Sequence, residues 1–339
     1  MIKARICILF SLSISLFGVY FVYEMFNGQS SISVAAPPSL TTTRAQRVAQ
    51  RINETFIPRR LHQTYLDTNI PNNYHEHIKS WIENHPDWEY YFWTDRDGER
   101  LIRERYPQYA AMFASYQHPL MKSDAIRYFV LHQFGGVYAD MDVRSLKPIE
   151  PFLRANTCIV VPEPYVQTKL PFNRPMTITN AFMASTSNHP FLTYLIDRLV
   201  AANRPFKSSV AVLEGTGPFL LNSTFVEYNR KYPSCKNGTY CHVYNADYKY
   251  LMPRFDEPNL KYYHSHKCGV KSQRAKLGLY ELQACEELKR TNFRNLVPAE
   301  AYTDHLWLHI GWLPKKGLKT RPIKEIVPGV LQYSMFFHG

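Results

Sequence analysis

The sequence predicts a mixed α/β domain over residues 56–339, carried behind an apolar N-terminal run. Three observations predict it. Apolar residues make up 45% of the chain and charged residues 20%, a balance that supports a packed core and excludes disordered, collagen-like and low-complexity chains. Short strand-like segments alternate with segments of helical periodicity. One helical segment gives way, across Gly135-Gly136, to a run of period two that carries two aspartates.

The elements follow in chain order. Residues 1–5 form a short tail holding Lys3 and Arg5, and residues 6–23 are charge-free and mostly apolar. That run is just long enough to cross a hydrocarbon core of roughly 30 Å as a helix. The basic residues before it and Glu24 after it orient the tail to the cytoplasm and the rest to the lumen. A single-pass membrane anchor is expected. A cleaved signal peptide, ending near Ser33-Val34-Ala35, is the alternative. Both readings put the bulk of the chain in the secretory pathway. The sequons Asn53-Glu54-Thr55, Asn222-Ser223-Thr224 and Asn237-Gly238-Thr239 agree. Residues 24–55, rich in Ser, Thr, Ala and Pro, read as a stem.

From there, residues 60–63, 89–93 and 158–161 are strand-like, and residues 97–106 and 190–201 are helical in pattern. No repeat or heptad interrupts them. In an oxidising lumen Cys235 with Cys241 and Cys268 with Cys285 are the local pairs to expect, leaving Cys158 over. The absence of a C-x-x-C motif argues against a zinc ribbon. The net charge of +12 favours anionic partners without choosing among them. The basic run at 314–321 invites a nucleic-acid reading, but a lumenal chain without a recognition motif points away from nucleic acid and toward a solvated face.

Residues 122–143 carry the chemistry. Ala125, Ile126, Phe129 and Val130 form an apolar stripe at helical spacing, and Asp124 and Arg127 sit side by side three residues apart. Taken alone, that pair is a local ion pair. Beyond the glycines, Val137, Ala139, Met141 and Val143 should point one way, and Tyr138, Asp140 and Asp142 the other. Two carboxylates on one face lie roughly 6–7 Å apart at Cα and can share a divalent ion. Hard oxygen ligands suit Mg²⁺ or Mn²⁺ holding a diphosphate. A bare Asp-x-Asp is more often a solvated strand end. Here the apolar helix, the glycine break, the aromatic and the upstream Asp124 and Arg127 shift the reading to catalysis.

Ser123-Asp124-x-x-Arg127 followed by Gly135-Gly136-Val137-Tyr138-x-Asp140-x-Asp142 resembles the signature of the Asp-x-Asp sugar transferases. That family includes inositol-phosphoceramide mannosyltransferases, initiating α-1,6-mannosyltransferases, α-1,4-galactosyltransferases and glucosylating toxins. The first of these branches is the most similar. The resemblance takes in residues 57–64, Ser80-Trp81, Pro86, Trp93-Thr94-Asp95, Asn180, Gly215-Thr216-Gly217-Pro218 and His309-Ile310-Gly311-Trp312, and so spans roughly 56–312.

It implies a GT-A fold and a metal held by Asp140 and Asp142. By the same resemblance, Asp124 and Arg127 contact the donor sugar and diphosphate, and Tyr138 packs by the nucleotide. Ile57 and His62 lie where the first strand meets the base, Asn180 touches the donor sugar, and Gly217 borders the cleft. A third metal ligand is expected on the polar-aromatic face of His305, Trp307 and His309. The resemblance implies His309, with His305 as the alternative; the small residue the family places before Trp312 is missing here. The implied activity is Mn²⁺- or Mg²⁺-dependent, retaining hexosyl transfer in the Golgi membrane. The donor would be a nucleotide sugar, GDP-mannose first and UDP-galactose or UDP-glucose as alternatives. The acceptor would be a sphingolipid headgroup or another glycan. A metal-dependent phosphohydrolase and a non-catalytic lumenal binding protein are the rival readings.

Overall fold

A computed structural model describes residues 56–205, 208–309 and 317–333. The anchor expected at 6–23, the stem at 24–55 and the Ile310-Gly311-Trp312 end of the last motif lie outside these. Among the described residues no helix is long and apolar enough to cross a membrane.

The strands, in chain order, are β1 (Arg60–Tyr65), β2 (Asn69–Pro71), β3 (Glu89–Thr94), β4 (Gly136–Ala139), β5 (Val143–Ser145), β6 (Cys158–Pro162), β7 (Ile178–Ser185), β8 (Tyr244–Asn245), β9 (Thr303–His305), β10 (Thr320–Pro322) and β11 (Leu331–Gln332). Seven of them form the central sheet, in the order β11-β3-β1-β4-β7-β6-β8. β1 runs parallel to β3 and β4, while β7 runs antiparallel to both β4 and β6. The carboxyl ends of β1, β4 and β6 therefore meet the start of β7 along one edge.

Alternate residues of these strands enter two cores, one on each face, as the period of two requires. Tyr91, Trp93, Tyr138, Cys158 and Val160 face one side. Tyr90, Phe92, Val137, Ile159 and Val161 face the other. The first face is covered by helices α3 (Pro119–Phe134), α5 (Pro190–Ala202) and α6 (Pro218–Lys231), the second by α1 (His75–Asn84) through Ile78 and Trp81. Helix α2 (Asp95–Arg105) adds Leu101 and Ile102 to the first. A smaller third cluster joins Val166 and Leu170 of α4 (Tyr165–Phe172) to Ala284, Cys285 and Leu288 of α7 (Leu279–Arg290). Mixed α/β is thus the observed class. Cys235 is bonded to Cys241 and Cys268 to Cys285, and Cys158 is a buried free thiol.

Helix α3 begins at Pro119, whose missing N–H costs nothing there, and His118 Nδ1 accepts from Leu120 N at 3.3 Å. It stops at Gly135-Gly136. At Gly136 φ is +110°, and a Cβ would stand 2.7 Å from Arg60 O. Only glycine lets β4 pass so close to β1.

Two expected strands end early. The alternation expected to reach Val143 breaks after Ala139, because Asp140-Met141-Asp142 is a turn closed by Val143 N donating to Asp140 O at 2.9 Å. The shared face expected over residues 305–309 ends at His305, since Trp307 and His309 adopt φ of 53° and 52°. Left-handed backbone cannot continue a strand.

Candidate active site

Arg127 is the hub. Its side chain is 5% exposed, yet every edge is engaged. Nη2 lies 3.1 Å from Asp124 Oδ1, and Nη1 lies 3.0 Å from Asp140 Oδ1. Nη1 also donates to Asn180 O at 2.7 Å, and Nε to Ser123 O at 3.2 Å. The guanidinium carbon stands 4.6 Å from the centre of the Tyr138 ring. Tyr138 in turn donates to Asp140 Oδ1 at 2.7 Å and lies 3.1 Å from Thr64 Oγ1. A cation this buried persists only with such partners. Burial works against its charge, but Asp140, Tyr138 and Asp124 outweigh burial and hold it protonated above its ordinary value.

Asp124 is held from three sides. Asn180 Nδ2 donates to Oδ1 at 2.9 Å, Thr216 Oγ1 donates to Oδ2 at 3.2 Å, and Arg127 takes the remaining approach. Burial still pushes its carboxyl up to about 6, against the pull of Arg127. Asn180 also donates to the Tyr128 hydroxyl at 3.2 Å. Gly217 lies against this carboxylate, where a Cβ would stand 3.2 Å from Asp124 Oδ2. The amides of the glycine loop at Thr216 and Gly217 are engaged within the chain. Thr216 N and Gly217 N both donate to Val212 O, at 3.0 and 2.9 Å.

Asp140 keeps 30% of its side chain exposed and marks the mouth of the site. Burial raises its carboxyl and Arg127 opposes the rise. Asp142 lies deeper. Its Oδ1 is 3.2 Å from His305 Nε2, and its Oδ2 accepts from Leu308 N at 2.9 Å. Burial would raise this carboxyl too, but the His305 charge and these hydrogen bonds prevail and hold it down to about 2. Burial would lower His305, and Asp142 reverses that. One ligand atom each from Asp140, Asp142 and His305 lies within 4.8 Å of the others. Two carboxylates and an imidazole suit a divalent ion such as Mn²⁺.

The histidine that stands beside the two aspartates is therefore His305 and not the expected His309. His309 is turned away, with Nε2 3.0 Å from Asp256 Oδ2 and 42% of its side chain exposed. His305 reaches the motif because β9 pairs antiparallel with β5, Val143 opposite His305. The neighbouring Asp304 is fully buried and accepts from Arg144 Nη2 at 2.9 Å and from Arg254 Nε and Nη2 at 2.9 Å each. This clamp was missed because its partners lie 160 and 50 positions away. Tyr74 was missed as well. Burial raises its hydroxyl most, and Asp142, Tyr65 and Asp140 add to the rise.

Two residues expected at the base-binding position do other work. Ile57 is fully buried at the amino end of β1, against Leu153, whereas the motif lies at the carboxyl end level with Thr64. His62 is also fully buried. Its Nε2 donates to Gly135 O at 2.8 Å and its Nδ1 accepts from Trp93 Nε1 at 3.2 Å. Burial drives this imidazole down to about 3, so it is a neutral brace between β1 and the glycine break.

Residues 71–159 match the family described as glycosyltransferase sugar-binding region containing DXD motif. Over this stretch the chain is similar to the DXD glycosyltransferases. The match covers Asp124, Arg127, Tyr138, Asp140 and Asp142; Ile57, His62, Asn180, Gly217, His305 and His309 lie outside it. Mannosyl phosphorylinositol ceramide synthase CSH1 of Saccharomyces cerevisiae is 29% identical over 66% of this chain and 52% of its own length. Inositol phosphoceramide mannosyltransferase 1 of Schizosaccharomyces pombe is 35% identical over 51% of this chain and 52% of its own. An initiation-specific alpha-1,6-mannosyltransferase of Candida albicans is 27% identical over 31% and 29%. The chain spans about half the length of the first two relatives. Among solved structures, PaToxG glycosyltransferase aligns at 16% identity with a TM-score of 0.36, over 68% of this chain and 79% of that one. The resemblance to the Asp-x-Asp sugar transferases is borne out by the family and the relatives. The matched residues include the Asp140-Met141-Asp142 turn.

Proposed function

We propose that this chain is a metal-dependent glycosyltransferase of GT-A type that moves a hexose from a nucleotide sugar to a sphingolipid headgroup or glycan. The observation that carries the reading is the convergence of Asp140, Asp142 and His305 beside the Arg127–Asp124 pair. The printed names of the relatives favour mannose as the sugar and inositol phosphoceramide as the acceptor. GDP-mannose is accordingly the first donor to test. A secretory, membrane-anchored enzyme fits the apolar run and the paired cysteines.

Asp140, Asp142 and His305 would hold Mn²⁺ or Mg²⁺. An ion held by these residues would supply charge neutralisation for a departing nucleotide diphosphate. The remaining work falls to the chain's own groups. Tyr138 and Arg127 both engage Oδ1 of Asp140, which leaves its other oxygen for a ligand. Arg127 supplies a fixed positive charge beside the leaving group, an arrangement that costs no reorganisation during reaction. Asn180 and Thr216 orient Asp124 toward the sugar hydroxyls. Each acid of the cluster is already committed to a partner, so none is free to act as general base. The acceptor hydroxyl would then lose its proton to the leaving phosphate, consistent with retention of configuration.

The test is Mn²⁺-dependent thermal stabilisation by a panel of nucleotide sugars, followed by transfer assays on Asp140→Asn. Binding to the native state must raise its melting point. The variant should fold and lose transfer by a factor of about 10²–10³, the scale on which removal of one aligned charge acts. Turnover like that of the wild type would overturn the reading.

A further inference from the structure

Buried polar side chains are almost always hydrogen-bonded, and a group of exceptions calls for a physical cause. Along the sheet edge that bears the DXD turn, beside the half-buried Tyr165 whose hydroxyl is also unpartnered, four atoms of buried residues have no partner among the described residues: Glu163 Oε2, Gln167 Oε1, Thr168 Oγ1 and Thr177 Oγ1. All four residues are at least nine-tenths buried. They belong to one place in the fold. Glu163 directly follows β6, and its N–H donates to Thr177 O at 2.9 Å, just before β7 begins. Gln167 and Thr168 lie on α4, whose Val166 and Leu170 pack into the third core; Thr168 stands on the opposite side of the helix and Gln167 on its flank. β6 stands two strands from β4, about 10 Å by ordinary strand spacing. His305, beside Asp140 and Asp142, is close enough for its charge to act on Glu163 as well. Its Nδ1 is also buried without a partner.

The chemistry of the four groups narrows the ligand. They offer a carboxyl, an amide and two hydroxyls, and no cation. A phosphate would meet the Glu163 carboxyl directly, and the nearby His305 charge is already engaged by Asp142. A neutral ring bearing several hydroxyls matches such a set, because each group can accept from or donate to a hydroxyl.

We propose that Glu163, Gln167, Thr168 and Thr177 form a subsite that recognises the hydroxyls of a neutral polyol ring, a hexose or an inositol, beside Asp140, Asp142 and His305. It rests on the proposed function and adds a place for the ring that the family match does not cover. Such a subsite sets which ring is accepted, since a ligand lacking one hydroxyl leaves a buried group unpaired.

The experiment compares full-length Thr177→Val, Thr168→Val and Glu163→Gln with the wild type. Each is measured for Mn²⁺-dependent binding of GDP, UDP, GDP-mannose and UDP-galactose, for donor hydrolysis, and for transfer to inositol phosphoceramide. Bare nucleoside diphosphate binding should stay within twofold of wild type. Transfer efficiency should fall about tenfold or more per variant, the value of one lost hydrogen bond in a buried site. If the ring is the transferred hexose, the loss appears in nucleotide-sugar affinity and hydrolysis. If it is the acceptor inositol, the loss appears only in the acceptor KM. Unchanged binding and transfer, with an equal or higher melting temperature, would show that buried waters satisfy these groups and would overturn the subsite alone. A wild-type chain that binds no nucleoside diphosphate with Mn²⁺ would overturn the proposed function and the subsite with it.

Discussion

Replacing Asp304 with asparagine removes the charge on which Arg144 and Arg254 converge, while keeping the shape of the side chain. The Asp304 carboxylate is fully buried; the side chains of Arg144 and Arg254 are 42% and 24% exposed. Breaking a wholly buried pair costs about 3–5 kcal/mol. The exposed Arg144 arm is screened and adds about 1 kcal/mol or less. The expected loss is therefore roughly 2–3 kcal/mol, most of it from the Arg254 arm. In a domain of this size each kcal/mol moves the melting temperature by roughly 2–4 °C, so a drop of roughly 5–10 °C should be seen by scanning calorimetry. The second consequence is more diagnostic. Asp304 fixes the short strand that carries His305, and loss of such support weakens metal affinity by about 10–100-fold. A tenfold loss removes about 1.4 kcal/mol of the stabilisation that excess Mn²⁺ provides. The Mn²⁺-induced rise in melting temperature should shrink accordingly. A variant that melts within 1 °C or so of the wild type, with its full response to Mn²⁺, would refute the idea that this clamp positions His305.

Three other outcomes are expected. His305→Ala should weaken Mn²⁺ binding about 100-fold in a calorimetric titration, and His309→Ala should leave it unchanged, because only His305 faces Asp142. Gly136→Ala should cost about 3 kcal/mol or more in denaturant unfolding, since its Cβ would press on Arg60 O from a backbone conformation that alanine resists. Acid should destabilise the fold through His62. The folded imidazole refuses a proton until about pH 3, whereas the unfolded one accepts it near 6.5, so the unfolded state binds more protons between those values and stability falls as pH is lowered. His62 alone accounts for about 2 kcal/mol between pH 7 and pH 5, and a His62→Gln variant should flatten that part of the pH profile.

Much of this architecture is legible in the chain because its causes are local. The buried strand β6 shows as an apolar run, and the two disulfides join cysteines six and 17 positions apart. Asp124 and Arg127 are three apart on one helix, so their pairing needs no distant information. The DXD turn could be singled out for a similar reason. A buried helix, a glycine break forced by close strand approach, and an aromatic that later holds Asp140 all lie within about twenty residues of it.

The rest depended on contacts between distant segments. Nothing near His305 or His309 says which one meets Asp142; the β5–β9 register and the two arginines on Asp304 decide it. Nothing near His62 says that Trp93 and Gly135 will enclose it and keep it neutral. Helical hydrogen bonding and hydrophobic periodicity act over a few residues, so the sequence by itself determined helices α2, α3 and α5, the strands β1, β3 and β6, and the place of the acidic triplet after the glycine break. Burial and charge pairing act through space, and only the tertiary structure decided which histidine joins that motif, which one is a brace, and where polar groups remain without partners.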